Sequence, residues 1–202
     1  MTDQTYSPGL KEPVFDSQAI FRAALSALSL PALKFKLSAD RLPQQAPLPP
    51  LAAGLALTLL DFDSPAWLSP SWSKAAGWLA FHNGVKPAAP GAASFILAAG
   101  LTELPALEQL SPGDERCPER SATVIVNCPR AENELPVYAE GPGLKRPRLL
   151  PPSGLSSAFV RFWQANHARY PLGLDLIALN GDGLWALPRS AKLSAEPERR
   201  AV

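Results

Sequence analysis

The sequence contains few of the side chains on which charge-driven binding and metal coordination depend. Charged residues make up 18% of the 202 residues, and the net charge at pH 7 is +1. Because a nearly neutral chain has no overall field that attracts nucleic acid or an anionic membrane, neither is expected as a partner. The two cysteines, Cys117 and Cys128, form no C-x-x-C pair, and the two histidines, His82 and His167, lie far from them in sequence. We therefore predict no metal site.

A long hydrophobic run is also missing. The longest one, residues 51–60, is too short to span a bilayer. The first residues, MTDQTYSPGLKEPVF, lack the basic start and apolar centre of a secretory signal. These features predict a cytoplasmic protein whose thiols stay reduced.

Proline is abundant, and its 23 residues are scattered between apolar segments, so we interpret them as loop residues rather than as a disordered tract. The length suits one sizeable domain, and no internal repeat or linker divides the chain. Helical and strand patterns alternate, which predicts an α/β fold: a mixed sheet with flanking helices. We assign residues 1–14 to an N-terminal arm, 15–189 to the domain and 190–202 to a polar, disordered tail.

Hydrophobic periodicity and turn residues place the individual elements. The predicted helices span residues 17–29, 51–60, 72–80, 103–110 and 154–170, and the predicted strands residues 33–37, 66–68, 94–99, 122–127 and 136–140. Asp16 or Ser17 is the expected N-cap of the first helix. That helix carries an apolar stripe and a separate polar face, formed by Phe21, Leu25 and Leu28 and by Arg22, Ser26 and Ser29.

The segment PLGLDLIALNGDGLWALPR, residues 171–189, predicts a closing hairpin. Its Asn-Gly-Asp-Gly centre is a strong turn signal, because asparagine and glycine tolerate the positive φ that tight turns require. If these four residues form the loop, Leu179 pairs with Leu184.

Asp175 is an acid inside an apolar strand of this hairpin. In the predicted register it lies opposite Pro188, and Arg189 points to the other face of the sheet, which takes the nearest cation out of reach. A buried carboxylate without a partner is costly. Two interpretations remain open: a structural ion pair with another cation or backbone N–H groups, or a group presented to a ligand or a partner subunit.

The closing hairpin closely resembles that of the PhnH family, a subunit family of the bacterial carbon–phosphorus lyase system for phosphonate breakdown. Other segments are similar to that family in the same order, namely FDSQAIFRAALSALSLPA, LALTLLDFDSPAWLS, FHNG and GPGLKRPRLLPP. The resemblance covers most of the chain, except the N-terminal arm and the tail. It implies an accessory subunit that is required for phosphonate catabolism through formation of ribose 1-phosphonate 5-triphosphate, with no catalytic residue of its own.

The resemblance further implies a fold similar to the large domain of pyridoxal-phosphate-dependent transferases, without the cofactor. The lysines agree with this expectation, because most occupy polar strands, loops or the tail rather than an aromatic pocket suited to a Schiff base. The resemblance also implies a homodimer that assembles with PhnG-, PhnI- and PhnJ-type subunits. In that assembly PhnI acts on the nucleotide and PhnJ carries the iron–sulfur radical chemistry.

Two short polar pairs are candidates for ligand or interface contacts. Asp61 and Asp63 lie two residues apart, as an acid pair or a metal ledge would, although such pairs more often cap a neighbouring segment. His82, beside Asn83 in a turn, has the titration range of a proton shuttle, although no acid or nucleophile is fixed beside it.

The remaining candidates are basic. Lys145, Arg146 and Arg148 form a stiff loop that suits a phosphate or an acidic partner, with simple solvation as the alternative. The other two basic candidates are Arg22 on the first helix and Arg189 after the hairpin. Ser71-Trp-Ser-Lys74 matches the S-x-x-K pattern of acyl-transfer enzymes, but its companion motifs are absent, so we interpret it as a chance match.

Two hypotheses for function follow. The first is an interaction protein of the PhnH type, with no cofactor and no metal. The alternative is a stand-alone nucleotide- or phosphonate-binding enzyme that uses Asp175, Arg189 and the loop 145–148. The first is favoured because no nucleophile, base and orienting group can be assembled from the sequence.

Overall fold

The computed structural model describes residues 6–130 and 135–195. Within these residues the predicted α/β architecture is confirmed: a mixed six-stranded sheet has helices on both faces, and a small antiparallel sheet lies beside it. The helices described are α1 (Pro13–Ser29), α2 (Pro50–Leu59), α3 (Ala76–Asn83) and α4 (Ser157–His167). The strands described are β1 (Phe35–Lys36), β2 (Ala66–Leu68), β3 (Phe95–Ala98), β4 (Thr123–Asn127), β5 (Tyr138–Glu140), β6 (Arg148–Leu149), β7 (Asp175–Asn180), β8 (Gly183–Leu187) and β9 (Lys192–Ser194).

The main sheet has the strand order β1-β8-β7-β4-β3-β2. Strands β2, β3, β4 and β7 are parallel, whereas β8 and β1 add antiparallel strands at one side. The small sheet has the order β6-β5-β9. The parallel strands β3, β4 and β7 are rich in β-branched residues and leucine and are mostly buried, as expected for strands covered on both faces.

Alternation along the strands divides the core into two layers. Ile125 and Ile177 pack with α1, α2 and α3, whereas Val124, Val126 and Leu176 pack with α4 and the small sheet. Successive side chains of a strand point to opposite faces, so each central strand serves both layers. No helix among residues 6–130 and 135–195 is both long enough and apolar enough to span a bilayer.

Helix α1 begins earlier than predicted, and the prediction of Asp16 or Ser17 as its N-cap is wrong. Pro13 starts the helix, a position where the missing N–H costs nothing. The Asp16 carboxylate instead accepts a hydrogen bond of 2.8 Å from the backbone N–H of Glu12 and lies 3.3 Å from Nη1 of Arg41. It therefore ties the start of the helix to the chain after β1.

The face that α1 turns toward the core combines two alanines, one isoleucine and one acid. Its buried residues are Asp16, Ile20, Ala24 and Ala27. The predicted apolar stripe lies largely outside the core, since Phe21 is 49% and Leu25 is 53% exposed. On this face the two alanines and Ile20 pack against α2 and the sheet, whereas Phe21 and Leu25 lie on the outer side of the helix.

Two other predictions are wrong, one for a local reason and one because of a long-range strand pairing. The single helix predicted over 103–110 is replaced by two 3-10 turns, Leu101–Glu103 and Leu107–Gln109, because Pro105 between them supplies no N–H and disfavours helix in the residue before it. The predicted polar tail from residue 190 contains strand β9, which pairs with β5 and buries Leu193. Residues 196–202 of that predicted tail, and residues 1–5 of the predicted arm, lie outside the described residues.

Candidate functional site

The hairpin register is confirmed, but the expected separation of Asp175 and Arg189 is wrong. Leu179 pairs with Leu184, and β8 ends at Leu187. Because Pro188 has no N–H to continue the ladder, the chain turns there. The turn brings Arg189 back to Asp175: its backbone N–H donates to Oδ1 at 2.8 Å, and its Nη2 donates to Oδ2 at 2.5 Å.

Every group of the Arg189 guanidinium has an acceptor. Nε donates to Asp175 Oδ1 at 3.3 Å, Nη1 donates to the carbonyl of Pro118 at 2.6 Å, and Nη2 also donates to Oγ of Ser121 at 2.5 Å. The backbone oxygen of Arg189 lies 3.1 Å from Nδ1 of His167 on α4. One arginine therefore joins the hairpin, the turn before β4 and helix α4. This arrangement supports the first of the two interpretations of Asp175, a structural ion pair.

The tip of the hairpin carries a second polar cluster that sequence reasoning did not identify. Asp182 lies 2.9 Å from Nζ of Lys34 and 2.8 Å from Nζ of Lys36. Hydrogen bonds from the two ammonium groups, Lys34 first, hold the pKa of the Asp182 carboxyl well below its usual range. The signal was present in the sequence, as the alternating basic residues of β1 and the acid in the turn.

Asn180 completes this cluster at the end of β7. Its side-chain amide donates to the carbonyl of Cys128 at 3.0 Å, to Oγ of Ser153 at 3.1 Å and to the carbonyl of Pro152. Its Oδ1 accepts from Nζ of Lys34 at 3.3 Å. The asparagine of the turn signal thus fastens the hairpin to two neighbouring loops.

A cavity of about 200 Å³ lies at the carboxyl ends of β4 and β7. This edge of a parallel sheet is where ligands bind in open α/β folds. Its walls are mainly apolar, and the polar side chains among its lining residues are Gln44, Asn127 and Asp182. Gln44 donates to the carbonyls of Ala39 and Leu42, and Asp182 is paired with the two lysines. The lining therefore supplies no nucleophile with a base beside it.

The structure places the two aspartates after α2 in a self-contained turn. Oδ1 of Asp61 accepts from the N–H of Asp63 at 2.9 Å and from Oγ of Ser64 at 2.8 Å. Asp61 and Asp63 are both exposed. They precede β2, which is three strand spacings of ~4.8 Å, about 14 Å, from β7, the strand that carries Asp175.

His82 and Asn83 contact backbone atoms of neighbouring segments. Nε2 of His82 lies 3.0 Å from the carbonyl of Ser7, and its ring lies 4.6 Å from that of Trp78. The amide of Asn83 donates to the carbonyls of Ala56 and Leu60, at 3.0 and 2.9 Å. The histidine holds the N-terminal segment, and the asparagine satisfies the end of α2.

In the S-x-x-K match, Ser71 makes a different contact from the one that the motif requires. The Ser71 hydroxyl donates to Oε1 of Glu103 at 2.7 Å, and its backbone N–H donates to Oε2 at 3.1 Å. The hydroxyl bond lowers the pKa of Glu103 below its ordinary value. Ser71 thus binds an acid rather than the motif's lysine, which agrees with a chance match.

The basic candidates lie on the surface around the end of α1. Arg22 is exposed on the helix, and Lys145, Arg146 and Arg148 are exposed on the loop before and within β6. Gly143 seats this loop on the helix, because its α-carbon lies so close to the Ser29 carbonyl that an added Cβ would overlap it. The basic loop thus stands at the C-terminal end of α1, Arg22 lies on the exposed side near the middle of the helix, and Asp175 and Arg189 belong to a separate, internal network.

A family model described as bacterial phosphonate metabolism protein (PhnH) matches residues 8–194. A protein of Rhizobium meliloti (strain 1021) named alpha-D-ribose 1-methylphosphonate 5-triphosphate synthase subunit PhnH is 35% identical over 199 residues, which cover 96% of this chain and 98% of that protein. A protein of Stutzerimonas stutzeri called C-P lyase subunit protein HtxG, a name marked there as provisional, is 32% identical over 111 residues, 55% of this chain and 56% of that protein.

Proposed function

Since the chain belongs to the PhnH family of bacterial phosphonate metabolism proteins, we propose that it is an accessory subunit of the assembly that makes a ribose 1-phosphonate 5-triphosphate. The named relatives are subunits of a triphosphate synthase and of C-P lyase, so a role inside a larger assembly is the one that both names support. In this proposal the chain supplies contact surfaces, and other subunits supply the groups that make and break bonds.

One observation from the structure gives the proposal its main support. The polar residues best suited to chemistry are held in structural bonds, and the clearest case is the guanidinium of Arg189, whose donors are shared between Asp175, Pro118 and Ser121. A catalytic arginine must be able to turn its donors to the substrate, whereas four of the five N–H donors of this guanidinium are bound inside the fold. The alternative enzyme hypothesis used this pair together with the loop 145–148, and the network around Arg189 favours the accessory role.

We also propose the finer points that the family resemblance implied. The partners are PhnG-, PhnI- and PhnJ-type subunits, and the chain forms a homodimer. The scaffold is related to the large domain of pyridoxal-phosphate-dependent transferases and holds no cofactor. Two observations support this proposal. The sheet is mixed, and the lysine side chains are exposed except that of Lys34, which is half-buried and bound to Asp182. Adding pyridoxal phosphate and recording absorbance tests this point, since a new band from a lysine adduct would contradict it.

The experiment that tests the function compares the chain alone with the chain co-expressed with the other three subunit types. We expect one large complex that contains all four chains, growth on a phosphonate as phosphorus source that depends on this chain, and no turnover of nucleotide or phosphonate by the chain alone. Turnover by the purified chain would support the enzyme alternative. Separate elution of the chain, with full activity of the other three, would reject the accessory role.

A further inference from the structure

We propose that the outer face of α1 and the basic loop beside it form one docking surface for a different polypeptide, whose own surface is an apolar strip bordered by carboxylates. The proposal rests on the accessory role proposed above and deepens it, because it states which face of the chain meets a partner. We call this the α1 surface and define it by Val14, Phe15, Phe21 and Leu25 of the helix with Lys145, Arg146 and Arg148 of the loop.

The helix part of this surface is apolar and exposed. Val14 is 77%, Phe15 66%, Phe21 49% and Leu25 53% exposed. With 3.6 residues per turn these four side chains fall on one arc of the helix, opposite the buried residues. A single exposed leucine is ordinary, but four large apolar side chains on one helix face are typical of a surface that another protein covers.

The charged part of this surface has one sign. Asp16 is the only acid in residues 13–29, and it is buried against Glu12 and Arg41. The stretch 141–149, GPGLKRPRL, contains three cations and no acid. Because Gly143 packs on Ser29 and Pro31, this basic loop stands at the C-terminal end of the apolar arc. Arg22, on the same exposed side of α1, adds a further cation.

A second copy of the chain is a poor fit to this charge. A twofold axis can pair two α1 helices in parallel or antiparallel. A parallel pair brings the two basic loops together. An antiparallel pair brings each loop to the N-terminal end of the other helix, where the helix dipole is positive, Asp16 is buried against Arg41, and the exposed acids Glu12 and Asp40 are balanced by Lys11 and Arg41. The parallel pair places cations against cations, and the antiparallel pair offers the basic loop no surplus of exposed acids, so the occupant that the charge favours is a different chain with acidic side chains.

The test measures binding of the full chain to an assembly of the PhnG-, PhnI- and PhnJ-type subunits purified without it. The apolar variant is the double substitution Phe21→Ser and Leu25→Ser. Its matched control is Phe62→Ser, which removes a ring that is 60% exposed and lies against Gly84 at the end of α3. The charge variant is Arg146→Glu with Arg148→Glu, and its control reverses Lys74 and Lys86, which are also exposed. Thermal melts establish that each variant is folded.

We expect the apolar variant to bind at least about tenfold more weakly than wild type, because exposed aromatic and leucine side chains are typical binding anchors. The charge variant should also bind about tenfold or more weakly at low salt, with a smaller difference at about 0.5 M salt, where charges are screened. Both controls should bind as wild type does. Wild-type affinity in both variants would overturn the docking proposal and leave the accessory role intact.

Two further outcomes are decisive. If the wild-type chain alone is a dimer by light scattering and the Phe21→Ser, Leu25→Ser variant is a monomer, the α1 surface is a contact between copies and the proposal is wrong. If the wild-type chain does not bind the other subunits at all, the accessory role fails, and the docking proposal fails with it. Binding lost in both variants and kept in both controls supports the proposal.

Discussion

Arg189 encloses the Asp175 carboxylate from two directions, with its backbone N–H on Oδ1 and its guanidinium on both oxygens. The side chains are 15% and 23% exposed, so water screens the pair only partly. The same guanidinium reaches Pro118 and Ser121 in the turn before β4. Through this pair the hairpin and a turn much earlier in the sequence share one anchor, and its loss should affect the whole fold.

The first prediction concerns the stability of this anchor. Asp175→Ala should lower the free energy of unfolding by about 2–4 kcal/mol, because it leaves a largely buried guanidinium without its counter-ion; full burial would cost about 3–5 kcal/mol. For a chain of this length each kcal/mol is about 2–4 °C in melting temperature. Denaturant titration and thermal melts measure both quantities.

Glu108→Ala is the matched control for that change. Glu108 is 76% exposed and pairs with Arg169 at 3.7 Å, so its loss should alter stability by less than about 0.5 kcal/mol. If Asp175→Ala were as harmless as the control, Asp175 would not be a structural residue, and its presentation to a ligand would become the better interpretation.

Sequence patterns predicted the parts of the fold that depend on neighbours along the chain. The Asn-Gly-Asp-Gly turn was sufficient to place Leu179 opposite Leu184, and β-branched content was sufficient to locate β3 and β4 within a residue or two. Both are local signals: the first depends on positive φ, which Gly181 adopts at 59°, and the second on side chains that favour a pleated, buried strand.

The sequence predicted less well the features that depend on contacts between residues far apart in the chain. The register alone predicted that Arg189 lies on the opposite face of the sheet from Asp175. A register applies only to paired strand residues, and β8 ends at Leu187, before Pro188. In α1 both faces carry apolar residues, so periodicity could not tell the buried alanines from the exposed Phe21 and Leu25. The candidate polar residues were likewise found by type, whereas their partners, such as Ser7 for His82, are set by tertiary packing.

A second prediction concerns Asn166, which is fully buried on α4. Its amide donates to the carbonyl of Leu174 at 3.0 Å, and its Oδ1 accepts from the N–H of Leu174 at 2.8 Å. Asn166→Ala should cost about 2–4 kcal/mol of unfolding free energy, because it leaves two buried backbone groups unsatisfied at about 1–3 kcal/mol each. Urea titration of the purified variant gives the value.

Gln164→Ala is the control on the same helix. Gln164 is exposed and donates one bond of 3.1 Å to the carbonyl of Leu193, so we expect a change below about 1 kcal/mol. Equal losses in the two variants would mean that the two bonds to Leu174 contribute no more than the single bond to Leu193, because the higher helix propensity of alanine would by itself stabilise both variants.

A third prediction is a pH dependence that comes from Cys128. Burial raises the pKa of this thiol to about 12. An unfolded thiol titrates near ~8.5, so between about pH 9 and 12 the folded state binds a proton that the unfolded state has lost. Stability should therefore fall as the pH rises in this window, by up to about 1.4 kcal/mol per pH unit from this one group.

Comparison with Cys128→Ala isolates that contribution from the other groups that titrate at high pH. The wild-type unfolding free energy should fall more steeply above about pH 9 than that of the variant, and the two slopes should agree below about pH 8. In the native wild type at pH 8, a thiol reagent should leave Cys128 unmodified until denaturant is added, since the thiol is 1% exposed. Parallel slopes across the alkaline range would contradict the raised pKa.

The last prediction concerns Gly143, the residue that seats the basic loop on α1. Its φ is 85°, and an added Cβ would overlap the Ser29 carbonyl and lie 3.0 Å from Cδ of Pro31. Gly143→Ala should therefore displace the loop and lower the unfolding free energy by about 1–2 kcal/mol, the usual cost of a left-handed conformation for alanine. Gly100→Ala, at an extended residue whose nearest atom is 3.9 Å away, should be neutral or slightly stabilising. Hydrogen exchange should quicken in residues 141–149 of the first variant and not of the second; unchanged exchange there would mean that the loop is held by contacts other than its seat on the helix.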